Sequence, residues 1–132
     1  MGGNVAVRLL LVEDLPQMQA VVIDLLATVG DFKLVKTVVT EAEANLWLDE
    51  NQNQWDLAVI DLILEQGTGL GVVARAKTRL PGARVVVFSD YATEGIRKHC
   101  VKLGADAVFQ KGTDLQAFLD YCGDFARSQP AA

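Results

Sequence analysis

The sequence predicts one α/β domain built on a parallel β-sheet, and three observations predict it. A chain of 132 residues is long enough for a single hydrophobic core. Five short runs rich in β-branched or aromatic residues alternate with stretches long enough for helices. The inner runs are almost continuously apolar, which is typical of parallel strands covered by helices on both faces. We expect one domain over residues 1–132, with a core over about 5–127 and a flexible tail over 128–132.

The predicted strands end in different kinds of residue. The second ends in Val39 and Thr40, which offer little chemistry, and this suits a strand at the edge of the sheet. Alternation of strands with helices predicts right-handed crossovers between parallel neighbours. The five predicted strands are Val5–Val12, Phe32–Val39, Leu57–Ile60, Arg84–Phe88 and Ala107–Gln110.

The first and last helical stretches have the clearest apolar stripes. The first stripe runs from Met18 to Val29 with a period near 3.6 residues. Pro16 suits the first turn of this helix and Gly30 its end. The last stripe runs over 115–126, and Thr113 is its predicted N-cap.

Three further helices are predicted between the inner strands, although their stripes are shorter or interrupted. Pro81-Gly82 and Gly104 are the residues that end the second and third of them. These helices cover Glu41–Asn51, Leu70–Arg79 and Thr93–Leu103.

Composition excludes several classes of function. The 17 acidic residues exceed the 12 basic ones, for a net charge of −5, so direct nucleic-acid binding is not expected. One histidine, His99, and two cysteines, Cys100 and Cys122, are too few for a zinc cluster, and the cysteines are predicted to be buried in the core. The first apolar run contains Arg8 and fits neither a signal peptide nor a membrane span. We therefore expect a cytoplasmic protein with reduced thiols.

Polar side chains follow four of the five predicted strands. Ligands of open parallel sheets bind beyond the carboxyl ends of the strands, so these side chains should meet. Carboxylates packed together repel one another unless a cation neutralises them, and oxygen ligands without imidazole or thiolate suit Mg²⁺. The residues at this edge are Glu13, Asp14, Asp61, Ser89 and Lys111.

In this order and spacing, the chain resembles the receiver, or phosphoacceptor, domains of bacterial two-component response regulators. The resemblance rests on four motifs that span nearly the whole chain. They are Glu13-Asp14 after LLLV, Asp61 in AVIDLILEQGTGL, Ser89 in RVVVFSDYA and Lys111 in GADAVFQKG. The resemblance implies a flavodoxin-like (βα)5 doubly wound sheet with strand order 2-1-3-4-5.

The resemblance also implies a role for each motif residue. Asp61 would accept a phosphoryl group from a phosphohistidine of a sensor histidine kinase or histidine phosphotransfer protein. Mg²⁺ would be held by Glu13, Asp14, Asp61 and the backbone carbonyl of Ile63. Ser89 and Lys111 would contact the phosphoryl oxygens.

The implied output is a stand-alone signalling switch that acts on a downstream protein. By the resemblance it would not be an enzyme beyond phosphorylation and dephosphorylation of its own Asp61, and the composition predicts no membrane or nucleic-acid partner. The face formed by the fourth helix, fifth strand and fifth helix is the expected signalling surface and a candidate homodimer interface.

Four positions depart from the family pattern and keep a rival hypothesis open, a pseudo-receiver that binds partners without phosphorylation. Glu65 and Gly112 stand where proline is usual, Asp90 where a small residue is usual, and Val108 where an aromatic residue is usual. Retention of all the motif residues favours the phosphoacceptor.

Two other classes of function fit less well. An aspartate-nucleophile phosphatase usually has Asp-x-Asp, whereas the third residue here is Ile63. A flavodoxin-type cofactor phosphate would be repelled by Glu13-Asp14.

Overall fold

The computed structural model describes residues 5–130, in which five parallel strands alternate with five helices. The sheet order is β2-β1-β3-β4-β5, with every neighbouring pair parallel, so the predicted flavodoxin-like receiver fold is confirmed. Strand β2 is an edge strand, as predicted. The strands are β1 Val7–Val12, β2 Phe32–Val38, β3 Leu57–Ile60, β4 Arg84–Ser89 and β5 Ala107–Gln110.

The helices cover both faces of this sheet. One core layer lies under α1 and α5, and the other lies under α2, α3 and α4. Successive residues of β1 alternate between the layers, with Leu9 and Leu11 in the first and Leu10 and Val12 in the second. The helices are α1 Pro16–Ala27, α2 Glu41–Glu50, α3 Gly69–Arg75, α4 Glu94–Leu103 and α5 Leu115–Arg127.

Helix α3 is shorter than the sequence pattern predicts. It ends at Arg75, whereas the prediction extended to Arg79. The Arg79 guanidinium instead donates hydrogen bonds to the carbonyls of Ala76, Ala83 and Gly104. Carbonyls at a helix end need partners from outside the helix, and here a downstream side chain supplies one of them.

The predicted N-cap of α5 is wrong. Asp114 occupies the N-cap position, and the Thr113 hydroxyl donates to the side chain of Gln110 instead. The Asp114 carboxylate makes no cap bond either, because it accepts from the Gln110 amide and from Arg97.

The two cysteines lie in the core, as predicted. Cys100 and Cys122 are buried, Trp55 is buried in the core and His99 is exposed. Over residues 5–130, no helix is long and apolar enough to cross a membrane. Helix α5 ends at Arg127, beyond which the Pro130 carbonyl accepts a hydrogen bond from the Val5 amide at 3.2 Å. Residues 131–132 of the predicted tail lie outside the described residues.

Candidate functional site

A lysine joins two carboxylates at the carboxyl edge of the sheet. Lys111 Nζ lies 2.6 Å from Glu13 Oε1 and 3.3 Å from Asp61 Oδ2. No more than a tenth of any of these three side chains is exposed. Together with Asp14, these residues are called the acidic site below. The sequence predicted that these four and Ser89 would meet.

Continued strand pairing fixes the backbone that carries these side chains. The Glu13 amide donates to a β2 carbonyl, the Asp61 amide to a β1 carbonyl, and the Lys111 amide to the carbonyl of Ser89. Each of these three residues directly follows its strand, and its backbone still bonds to the neighbouring strand. The site is therefore built on the rigid sheet, which favours precise placement.

Burial sets the electrostatics of the ion pair. Burial raises the pKa of Glu13 above its ordinary value, although hydrogen bonds from Lys111 and from the Leu15 amide oppose this shift. Burial alone would lower the pKa of Lys111, but its bond to Glu13 and the nearby Asp61 carboxylate outweigh it, so this pKa is raised. Lys111 is thus held as an ammonium ion between two acids.

The acidic site has the chemistry of a site for a hard cation. Glu13, Asp14 and Asp61 each offer an oxygen atom, and these oxygens lie within 4.8 Å of one another. Asp14 is half-buried and reaches the surface. A single ammonium cannot neutralise three carboxylates, so the site has surplus negative charge. Carboxylate oxygens in a partly open site are the ligands that Mg²⁺ prefers, and these residues fit that ion.

A depression of about 290 Å³ opens beside Asp61. Its lining combines acidic groups with exposed apolar side chains, so a partner would contact both charge and apolar surface there. The acidic lining residues are Asp14, Asp61 and Asp90, and the apolar ones include Leu15, Ile63 and Tyr91.

Two motif residues, Glu13 and Ser89, do not line the depression, and of these only Ser89 makes no hydrogen bond or ion pair with the other site side chains. Ser89 is fully buried at the end of β4, and its Oγ accepts a hydrogen bond from the Tyr91 amide at 3.2 Å. Its backbone is nevertheless tied to the site, because the Ser89 carbonyl accepts from the Lys111 amide.

The four departures from the receiver pattern occupy distinct places. Glu65 and Asp90 are exposed, whereas Val108 is buried in the layer under α2, α3 and α4. Phe109 lies on the opposite face of the sheet, as strand alternation predicts, where it packs against aromatic rings of α5. The peptide bond between Lys111 and Gly112 is trans, as are the others in residues 5–130.

The sequence patterns did not indicate three residues that support the site. Gln19 Nε2 donates to the Glu13 carbonyl at 2.7 Å, and Lys111 Nζ lies 6.0 Å from the centre of the Phe88 ring. A Cβ at Gly69 would stand 2.0 Å from the Asp61 carbonyl oxygen, so only glycine fits there. The glycines of EQGTGL could have indicated a close backbone approach, but no local pattern indicates Gln19 or Phe88.

Comparisons with known proteins agree on the type of domain. The sequence profile of the response regulator receiver domain matches residues 9–122. The photosynthetic apparatus regulatory protein RegA of Rhodobacter capsulatus is 44% identical over 57 residues, which are 43% of this chain and 31% of RegA. The match thus spans less than a third of the length of that relative.

Solved structures extend the likeness in fold over almost the whole chain. The response regulator domain of Thermotoga maritima CheB has a TM-score of 0.78 at 20% identity, over 96% of this chain and 100% of that one. The phosphorylated cyanobacterial phytochrome response regulator RcpA has a TM-score of 0.74 at 26% identity, over 94% of this chain and 96% of that one.

Proposed function

The chain belongs to the response regulator receiver domain family of signalling domains, and we propose that it is a phosphoacceptor member of that family. Asp61 accepts a phosphoryl group from a phosphohistidine donor, and the modified domain changes its interaction with a protein partner.

The observation that carries this proposal is the buried contact of Lys111 with both Glu13 and Asp61, beside the half-exposed Asp14. A purely structural ion pair needs one acid for one base. Here two buried acids share a lysine at an open depression, and the sheet edge holds a third acid within reach. Repulsion among these carboxylates destabilises the folded protein unless the site binds a group that offsets their charge.

The chemistry assigned to Asp61 is in-line phosphoryl transfer. A carboxylate oxygen of Asp61 attacks phosphorus, the P–N bond to the donor histidine breaks, and the electron pair leaves with the imidazole nitrogen. Transfer of this kind depends mainly on positioning and charge neutralisation. Lys111 already lies at the Asp61 carboxylate, where its ammonium would pair with a phosphoryl oxygen. The Ser89 hydroxyl would donate a hydrogen bond to another phosphoryl oxygen once it is released from the Tyr91 amide.

Glu13, Asp14, Asp61 and the backbone carbonyl of Ile63 are the proposed ligands of Mg²⁺, which when bound supplies positive charge for the carboxylates and the phosphoryl oxygens. Lys111 alone leaves the acidic site with excess negative charge, and this supports the need for a second cation.

The proposed partners follow from the family and the site. The donor is a sensor histidine kinase or a histidine phosphotransfer protein, and the output is a downstream protein. RcpA, 26% identical, is a phosphorylated response regulator by its own description. We also propose a cytoplasmic location and a single domain over 1–132 that does not bind nucleic acid directly. The face formed by α4, β5 and α5 is the proposed surface for a homodimer.

Peptide mapping tests the acceptor assignment. The protein is incubated with Mg²⁺ and phosphoramidate, reduced with borohydride to convert an acyl phosphate to homoserine, digested and analysed by mass spectrometry. We expect conversion at Asp61 alone. Conversion at Asp14 or Asp90 would contradict the assignment, and no conversion anywhere would favour the pseudo-receiver.

Amide hydrogen exchange tests the switch. With Mg²⁺ and beryllofluoride, which mimics a phosphoryl group, exchange should change over α4, Glu94–Leu103. The control is the same titration on Asp61→Asn. Unchanged protection throughout α4 of the parent protein would count against switching.

A further inference from the structure

The first residue of α2 reaches across to the loop that follows Asp61. Glu41 Oε1 accepts a hydrogen bond from the Thr68 amide at 2.8 Å, and the Glu41 amide donates to the Gln66 carbonyl at 3.1 Å. Thr40 and Gln66 also form an isolated parallel bridge. The start of α2 is therefore bonded to the loop at several backbone positions, although 27 residues separate Glu41 from Thr68.

Two glycines make room for the Glu41 side chain. A Cβ at Gly67 would stand 2.4 Å from Glu41 Cβ, and a Cβ at Gly71 would stand 2.1 Å from Glu41 Oε2. Gly67 also has a φ of +80°, which disfavours other residues. The Glu41 carboxylate thus occupies a notch that larger residues at these two positions would close.

The bonds of Glu41 lead to the expected metal site. Thr68, which Glu41 holds, forms an antiparallel bridge with Ile63. The Ile63 amide in turn lies 3.5 Å from Asp61 Oδ1. A short path of backbone contacts therefore connects the Glu41 carboxylate to the residue whose carbonyl is a proposed Mg²⁺ ligand.

The loop has little other support in its middle, although its end is also fixed by the Ile63–Thr68 bridge and by the Thr68 hydroxyl, which caps α3. Leu62 and Leu64 are buried and anchor its first half in the core. Glu65, Gln66 and Gly67 are exposed, and Glu65 stands where the family usually has a rigid proline. Without the bonds from α2, Glu65, Gln66 and Gly67 would have many accessible conformations.

We propose that Glu41 is a positioning residue for the Mg²⁺ site, which orders the loop after Asp61 by holding Thr68. This inference rests on the proposed function, because it assumes that the acidic site binds Mg²⁺. Glu41 touches neither the metal nor the phosphoryl group and acts through Thr68 and Ile63.

The test measures Mg²⁺ affinity and Thr68 amide exchange in a set of variants. Glu41→Ala removes the acceptor, and we expect about 10-fold weaker Mg²⁺ binding with faster exchange of the Thr68 amide. Glu41→Gln keeps an acceptor oxygen without the charge and should stay close to the parent protein. Glu50→Ala, at the exposed far end of α2, is the control and should bind Mg²⁺ like the parent.

Gly71→Ala tests the same bond without changing Glu41. Alanine ordinarily favours a helix, but here its Cβ should displace the Glu41 carboxylate and weaken Mg²⁺ binding. If both substitutions act through one bond, Glu41→Ala with Gly71→Ala should bind Mg²⁺ no more weakly than Glu41→Ala alone.

The outcomes separate this proposal from the proposed function. A parent protein without Mg²⁺ affinity would overturn both. A parent that binds Mg²⁺, with Glu41→Ala of equal affinity, would overturn the role of Glu41 alone. A merely structural role would lower the urea midpoint of Glu41→Ala without changing the Mg²⁺ dissociation constant of the folded protein, and this result would also overturn the proposal.

Discussion

The two ends of the sheet use acids and bases in opposite ways. At the amino end, Asp56 accepts from the Arg8 amide and guanidinium at 2.8–3.0 Å, and Asp106 accepts from Arg79 at 2.9 Å. Each carboxylate of these two amino-end pairs has its own arginine. At the carboxyl end, Lys111 serves both Glu13 and Asp61, with Asp14 close by.

This difference separates structure from function. The amino-end pairs are matched in charge, and their acids also bond to backbone amides, so they join the strands and are complete without a ligand. The acidic site is not balanced, and its surplus charge faces an open depression. The stability that the amino-end pairs contribute should therefore not depend on Mg²⁺, whereas the stability that the acidic site contributes should depend on it.

The largest effect is expected from removing the lysine at the carboxyl end. Lys111→Met leaves the buried Glu13 without its cation, and we expect a loss of about 3 kcal/mol in the free energy of unfolding at pH 7 without Mg²⁺. Urea unfolding measures it. Lys98→Met is the matched control, since that exposed lysine lies 4.0 Å from Glu94 and should change stability little. If Lys111→Met were as stable as the parent, repulsion among the buried carboxylates would not destabilise the fold, and the prediction would be wrong.

A smaller loss is expected at the amino end, and it should depend on pH. Partial burial alone would raise the pKa of Asp56, but the Arg8 hydrogen bonds outweigh it and this pKa is lowered. The pair therefore stabilises the fold above the unfolded pKa of about 3.9, and this contribution is lost as pH falls through the lower folded pKa. Asp56→Asn should lose about 1.5 kcal/mol at pH 7, with or without Mg²⁺.

Urea unfolding at pH 7 and pH 3 measures this pattern. The difference between Asp56→Asn and the parent should narrow at the lower pH. A difference that grew on acidification, or that Mg²⁺ removed, would contradict the separation of the two ends.

Mg²⁺ should stabilise the folded protein, and it should do so by binding at the carboxyl end of the sheet only. At ten times its dissociation constant, a ligand of the folded state adds about 1.4 kcal/mol, or about 5 °C in melting temperature for a domain of this size. Asp14→Asn should lose most of this rise, whereas Asp56→Asn should keep it. A calorimetric scan without a Mg²⁺-dependent rise in the parent would remove the basis for the metal site.

The smallest effect concerns the rim of the depression. Asp90 is exposed there and repels an anionic phosphodonor, so Asp90→Asn should be phosphorylated by acetyl phosphate about 2-fold faster at low ionic strength. Glu50→Gln removes an equal charge at the amino end and is the control. Because salt screens exposed charges, the gain should disappear at about 0.5 M salt. A gain that persists there would point to a cause other than charge.

The fold and most of the acidic site could be predicted from local sequence patterns. Apolar runs and their spacing located all five strands, and the residues that directly follow them supplied Glu13, Asp14, Asp61 and Lys111. These predictions succeed because the carboxyl ends of parallel strands lie at one edge of a sheet, whatever the conformation of the loops.

Contacts between distant elements could not be predicted in this way. Arg79 donates to the Gly104 carbonyl 25 residues away, Arg97 bonds to the carboxylate of Asp114 that could have capped α5, and Glu41 holds a loop 27 residues away. Each is a polar contact, either between a side chain and the backbone or between two side chains. The spacing of apolar residues gives no information about such contacts. Ser89 shows the same limit, because its position after the apolar run was right but the direction of its hydroxyl depends on the turn to Tyr91.

The intact mass of the protein tests the central claim most directly. The parent and Asp61→Asn are incubated with phosphoramidate, each with Mg²⁺ and with EDTA, and are quenched in acid after short times. We expect a gain of one phosphoryl group in the parent with Mg²⁺ and no gain in the other three samples. An equal gain in Asp61→Asn, or a parent that never gains mass, would contradict the assignment of Asp61 as the phosphoacceptor.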